Sequence, residues 1–179
     1  MDAAPTRRVI TSRSEFHDAL RGAFALAASS SAREIWLSDQ DFADWPLGER
    51  QVVDQLTQWA HSHRHLTLIA HNFDEVARRH GRWTEWRRQW AHVVECRSNQ
   101  ELEANQHPTI CLISDQLSVR LSDPVRYRGM VSTEIADAVA CREAIDAVLQ
   151  RSNETFPVSI VSKLLMRVIK AHARWRWRA

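Results

Sequence analysis

The stretch HPTICLISDQLSVRL, residues 107–121, decides the fold. It opens on His107, runs through the uncharged segment TICLI, and closes on Ser-Asp-Gln before a second extended run, LSVRLS. A short apolar run rich in β-branched residues reads as a strand buried on both faces, and the Asp-Gln step reads as the turn of a hairpin. A further extended piece, VRYRGMVS at 125–132, follows. Outward from this cluster the chain alternates differently on its N-terminal side.

There the segment SRSEFHDALRGAFALAA spaces Phe16, Leu20, Ala23, Phe24 and Ala27 as one helical face, with Ser12 or Ser14 as cap, and predicts a helix over about 14–28. REIWLSD (33–39) and HLTLIA (65–70) read as strands, separated by a loop holding Trp45-Pro46 and by the helical pattern ERQVVDQLTQWAHSH (49–63). The segment NFDEVARRHGRWTEWRRQWAH (72–92) predicts helix broken near Gly81, and VVECR (93–97) is a third strand. After the hairpin, residues 133–152 form a strongly periodic helix with Thr133 as cap, and 161–172 repeat the pattern. Strands alternating with helices predict right-handed crossovers, so the expected fold is a single-domain α/β protein with a mixed, mostly parallel sheet and helices on both faces. The expected boundaries are a flexible lead at 1–13, the α/β domain at 14–165 and a basic Trp/Arg tail at 166–179.

Composition narrows the class. With 44% hydrophobic and 26% charged residues in 179, the chain has material for a core. Its longest apolar runs are too short to span a bilayer and its first residues lack a signal-peptide centre, so no transmembrane segment is expected and the cytoplasm is the default location. Cys96, Cys111 and Cys141 have no metal-knuckle spacing. Six of the 24 Lys and Arg follow Thr155, where there is no Asp or Glu, which leaves the body mildly acidic. Four glycines without a G-x-G or G-K-[ST] pattern exclude the usual nucleotide loops, and no G-x-S-x-G elbow appears.

In a parallel α/β sheet the ligand crevice lies beyond the carboxyl ends of the strands. That rule selects Asp39 and Asp41 after the first strand, His71 and Asn72 after the second, Arg97 after the third and Asp115 after the fourth. Together they suit a polar or phosphorylated ligand. The commoner work of Asp39, Asn72 and Asp115 in such places is to satisfy turn and cap backbone groups. His61, His63, His65 and His71 lie on a helix-to-strand connection without ligand-like acids or thiols beside them, so neither a metal nor another cofactor is expected. Trp83, Trp86 and Trp90 mark one helical stripe, better suited to the core than to base stacking, with Arg82, Arg87 and Arg88 interleaved. In the tail, Trp175 and Trp177 alternate with Arg174, Arg176 and Arg178, a composition that suits a nucleic acid or an anionic membrane surface, or equally a frayed terminus.

The strand–helix order ending in a hairpin, with HPTICLISD leading into it, resembles the phospholipase D fold. That superfamily's signature is H-x-K-x-x-x-x-D, in which the histidine attacks a phosphodiester. Laid on this sequence, His107 takes the histidine position, Thr109 the lysine position and Ser114 the aspartate position, with Asp115 one residue late. The words REIWLSDQDFADWPLGE, HNFDEVARRHGRWTEWRRQWAHVVECR and ICLISD resemble an uncharacterised group of bacterial phospholipase-D-like domains that lack the signature. The resemblance implies the fold, and a homodimer, because single-repeat members pair two copies to build one site. Three functions follow as expectations: a non-catalytic domain that binds a phosphate-containing ligand or a protein partner; a phosphodiesterase or phosphatidyl transferase rebuilt around His107 or His71; and a dimerising scaffold. The second needs a cation beside the histidine, supplied by Arg82 or Arg97, since Thr109 has no charge to hold phosphoryl oxygens.

Overall fold

The structure is a computed structural model that describes residues 6–61 and 63–156. Its frame is one eight-stranded sheet: β1 (Arg7–Ile10), β2 (Glu34–Ser38), β3 (His65–Ala70), β4 (Val94–Ser98), β5 (Thr109–Ile113), β6 (Leu117–Asp123), β7 (Arg128–Ser132) and β8 (Asn153–Glu154), in the spatial order β1-β7-β6-β5-β2-β3-β4-β8. Among the described residues the α-helices are α1 (Arg13–Ser29), α2 (Arg50–Trp59), α3 (Asp74–Arg79), α4 (Gly81–Gln89) and α5 (Ile135–Leu149).

The sheet is mixed, as expected, but mostly antiparallel. Among the described residues only β2–β3 and β3–β4 pair in parallel, and β5 runs against β2 with Ile110 opposite Ser38. The error has a physical source. TICLI is uncharged because α1 packs on one of its faces and α5 on the other, and burial on both faces, which sequence pattern associates with parallel strands, says nothing about direction. Two short strands were also not expected from the sequence. Residues 7–10, assigned to a flexible lead, form the edge strand β1 against β7, and Asn153–Glu154 closes the far edge against β4.

Helix α1 starts where its cap dictates: the Ser12 hydroxyl accepts from the Glu15 amide at 3.2 Å while the Glu15 carboxylate accepts from the Thr11 amide. Its apolar stripe, Phe16, Leu20, Ala23, Phe24 and Ala27, is buried. With Val52, Leu56 and Trp59 of α2 and Trp83 and Trp86 of α4, it forms the core on one side of the sheet. Trp83 is fully buried, so the tryptophan stripe is core as expected. On the opposite side, among the described residues, stands helix α5, packed through Cys141, Ile145 and Val148 on Trp36, Ile69, Ile110 and Leu112. Thr133 is not the cap of α5: the helix is entered from Glu134, and the Thr133 hydroxyl accepts the Thr6 amide instead. No helix among the described residues is long and apolar enough to cross a membrane. The tail residues Arg174, Trp175, Arg176, Trp177 and Arg178 lie outside the described residues.

Candidate functional site

The antiparallel setting of β5 brings its start, not its end, to the carboxyl ends of β2 and β3. His107, Thr109 and Asp39 therefore meet at one end of the sheet, lining a cleft of about 300 Å³ with Asp41, Asp44 and Tyr127. The β5–β6 turn lies at the other end, where Ser114 donates its amide to Glu34 at the start of β2. Asp115, selected from the sequence by the parallel-sheet rule, is thus separated from the other candidates. It occupies the turn with φ of 62°, a left-handed conformation that aspartate tolerates.

Asp39 is tied into the wall of the cleft. Its Oδ1 accepts the Thr109 hydroxyl at 2.6 Å, and its Oδ2 accepts the amides of Phe42 at 2.9 Å and Asp41 at 3.3 Å. These bonds hold a strained turn: Phe42 is fully buried at φ 57°, an uncommon setting for a bulky side chain. His80, between α3 and α4, clamps the same residue by donating Nε2–H to its carbonyl at 2.8 Å. Burial raises the Asp39 carboxyl above the ordinary carboxylate range, against the lowering effect of its three donors.

His107 is 4% exposed. Its Nε2 donates to the Asn99 carbonyl at 3.0 Å, which fixes the tautomer, and its Nδ1 is buried without a hydrogen-bond partner among the described residues. Burial pushes the imidazole below the usual histidine range, so the ring is neutral at pH 7. His71 stands beside it, ring centroids 5.8 Å apart and planes at 82°, with Nδ1 donating to the Leu102 carbonyl at 3.2 Å. Both histidines thus anchor the loop that follows β4. No group of three metal-ligating side chains is assembled among the described residues.

The cations the sequence reading brought to this site are elsewhere. Arg82 donates to the Gly48 carbonyl, and Arg97 is held by the Ser152 hydroxyl at 2.8 Å, the Ser152 carbonyl at 2.7 Å and Glu95 at 2.9 Å. Asn72 accepts the Asp74 amide at the start of α3. Among the described residues no Arg lines the His107 cleft, and both lysines of the chain, Lys163 and Lys170, lie outside the described residues. Among the described residues the cleft is acidic, with Arg13 pairing to Asp44 at 2.9 Å.

A second cavity, of about 560 Å³, lies on the other side of the same strand. Successive residues of an extended chain face opposite ways. His107 and Thr109 line the acidic cleft, and Pro108 between them lines the second cavity, together with Arg120 of β6 and Arg151 beyond α5. Sequence reading missed these two arginines. The available signal was the alternation within LSVRLS, where Val119 and Leu121 are core and Arg120 points to the α5 side.

The TrmBL2 structure, described as an archaeal chromatin protein with a novel mode of DNA binding, superimposes with a TM-score of 0.58 at 10% identity over 83% of this chain. This chain spans about half of that one, 54%. Nuc from Salmonella typhimurium, described as a phospholipase D family member, matches over 86% of this chain and 99% of its own with a TM-score of 0.57 at 9% identity. The fold is phospholipase-D-like. NucT from Helicobacter pylori agrees, with a TM-score of 0.52 at 11% identity over 84% of this chain and 99% of its own. No protein-family model and no curated protein matches the sequence. These superpositions show the phospholipase-D-like fold, and at identities this low they leave function to the site.

Proposed function

We propose that this phospholipase-D-like domain is a binding domain that performs no phosphodiester chemistry on its HPT strand. The observation that carries the reading is the use made of two signature positions and of the cleft around them. The nitrogen Nε2 of His107 has its hydrogen committed to a carbonyl, Thr109 stands where the signature has lysine and is bonded to Asp39, and the cleft has carboxylates where a phosphoryl group needs cations. A histidine nucleophile without donors aimed at the developing charge loses the largest single contribution to catalysis. In this reading the C-terminal segment 166–179 adds charge-driven affinity for an anionic surface.

Two assays test it. Hydrolysis of bis(p-nitrophenyl) phosphate, single-stranded DNA and phosphatidylcholine by the full chain is expected to equal that of His107→Ala; turnover that disappears in His107→Ala overturns the reading. Truncation after Lys170 is expected to weaken oligonucleotide binding and flatten its salt dependence. Equal binding by both proteins removes the tail from the account.

The dimerising-scaffold reading has one observation of its own. Ile135 and Val139 on α5 are 82% and 50% exposed, an apolar pair on a helix whose other side is core. Sedimentation velocity on the full chain and on Val139→Asp separates a dimer built there from a monomer.

A further inference from the structure

We propose that the cavity between α5 and the Asn99–Pro108 segment binds a phosphate ester, with Arg120 and Arg151 holding the phosphoryl oxygens. The inference rests on the binding reading above and names the site and ligand class for it. It is carried by a difference between the two cavities that share the HPT strand. One is walled by carboxylates; the other is lined by two arginines, one from β6 and one from beyond α5.

Most arginines among the described residues are already committed. Arg7 is bonded to Asp137, Arg13 to Asp44, Arg21 to Glu49, and Arg142 to Asp146. Arg120 and Arg151 are exposed and line one cavity, and neither makes an ion pair or side-chain hydrogen bond with another described residue. Guanidinium is planar, always charged and less strongly hydrated than an ammonium, which suits it to binding a phosphate. The remainder of the lining fits the body of an ester. Leu102, Pro108 and Val148 give an apolar floor, and the side-chain amides of Gln106 and Gln150 can meet polar substituents. A cavity of about 560 Å³ is in the range that takes a nucleotide-sized molecule.

Two features of the cavity oppose an anion, and both are smaller than the pair of charges. The carboxylate of Glu101 lines it. The C-terminal end of α5 carries the negative end of a helix dipole, equivalent to about half a charge. That end is largely capped: Asn99 Nδ2 donates to the Val148 carbonyl at 2.9 Å, the Ser152 amide and hydroxyl donate to the Leu149 carbonyl, and the Gln150 amide donates to that of Asp146. Asn99 also accepts the Glu101 and Leu102 amides at 3.1 Å, so the loop wall of the cavity is fixed to the helix before any ligand arrives.

The test is isothermal titration of the full chain with adenosine 5′-monophosphate and, separately, inorganic phosphate, at fixed physiological ionic strength. Saturable 1:1 binding of the nucleotide is expected, tighter than phosphate because the floor contributes. Arg120→Gln and Arg151→Gln should each weaken it at least tenfold, and Glu101→Gln should tighten it. A chain with Arg174, Arg176 and Arg178 all changed to Gln should bind like the wild type. The substituted body residues are exposed, and circular dichroism verifies each fold. No binding by the wild type, equal affinity for nucleotide and phosphate, or unchanged affinity in either body arginine variant overturns the proposal. None of these results bears on turnover at His107, which the hydrolysis assay reads separately.

Discussion

Thr109→Val isolates the hydrogen bond that ties β5 to the Asp39 turn. Valine keeps the shape of threonine and removes only the hydroxyl that donates to Asp39 Oδ1 at 2.6 Å. Thr109 is 3% exposed, so water has little room to take over. A hydrogen bond to a charged group contributes about 1.5–3 kcal/mol, and a buried acceptor left unpaired loses most of it. The two backbone bonds to Asp39 Oδ2 survive, so the turn through Phe42 remains and the effect stays local. The expected loss is about 2 kcal/mol, or about 6 °C in Tm for a domain of this size. Urea unfolding at pH 7.5, followed by tryptophan fluorescence, reads it, with Thr109→Ser as the variant that restores the bond.

The pH arm has a definite sign. The Asp39 carboxyl is raised by burial, so between its unfolded and folded pKa values the native state holds more protons, and its contribution to stability falls as pH rises through that window. The Thr109 hydroxyl opposes the rise, and valine removes that opposition. The penalty of Thr109→Val should therefore grow from acid toward neutral pH. A variant within about 0.5 kcal/mol of wild type at pH 7.5, or one whose penalty shrinks with rising pH, refutes the assignment of Thr109 as the hydrogen-bond partner that opposes the rise of the Asp39 carboxyl.

Other outcomes follow from single features. Gly129→Ala should cost about 3 kcal/mol or more by urea unfolding, because a Cβ there would stand 2.1 Å from the Arg120 carbonyl oxygen and 2.8 Å from Leu121 Cα, backbone that cannot step aside. His80 and His107 are both held below the usual histidine range by burial, so the unfolded chain takes up protons first as pH falls below about 6.5, and their contribution to stability should decline there; His80→Gln should flatten that part of the wild-type pH profile. Arg97→Ala should release the β8 edge, seen as faster amide exchange at Thr155, whose N–H donates to the Cys96 carbonyl at 2.9 Å, with exchange in β2 unchanged.

Much of this architecture was legible in the sequence because each helix carries its own stripe. Phe16 to Ala27 predicts the buried face of α1, and Trp83 and Trp86 are the core of α4. Strand direction was not legible, since the residues of TICLI satisfy the same burial whether they run with or against β2. One consequence propagated into the site: reading the sheet as mostly parallel placed Asp115 beside Asp39, and reversing one strand sends it to the opposite end. The capping roles of Asp39 and Asn72 are those that short polar side chains commonly fill after strands. The ties of Arg82 and Arg97 could not be anticipated, because their partners are the backbone carbonyl of Gly48 and a serine 55 residues away.

The hydrogen bond from His107 to the Asn99 carbonyl has one more consequence. Asn99 holds the end of α5 through its amide and the His107 ring through its backbone, so a single residue joins the walls of both cavities. An imidazole N–H buried and bonded in this way exchanges slowly with solvent and resonates well downfield of the amides. It is a native spectroscopic probe: the proton shift of one histidine reports, without any added label, on events on the far side of the segment that carries it.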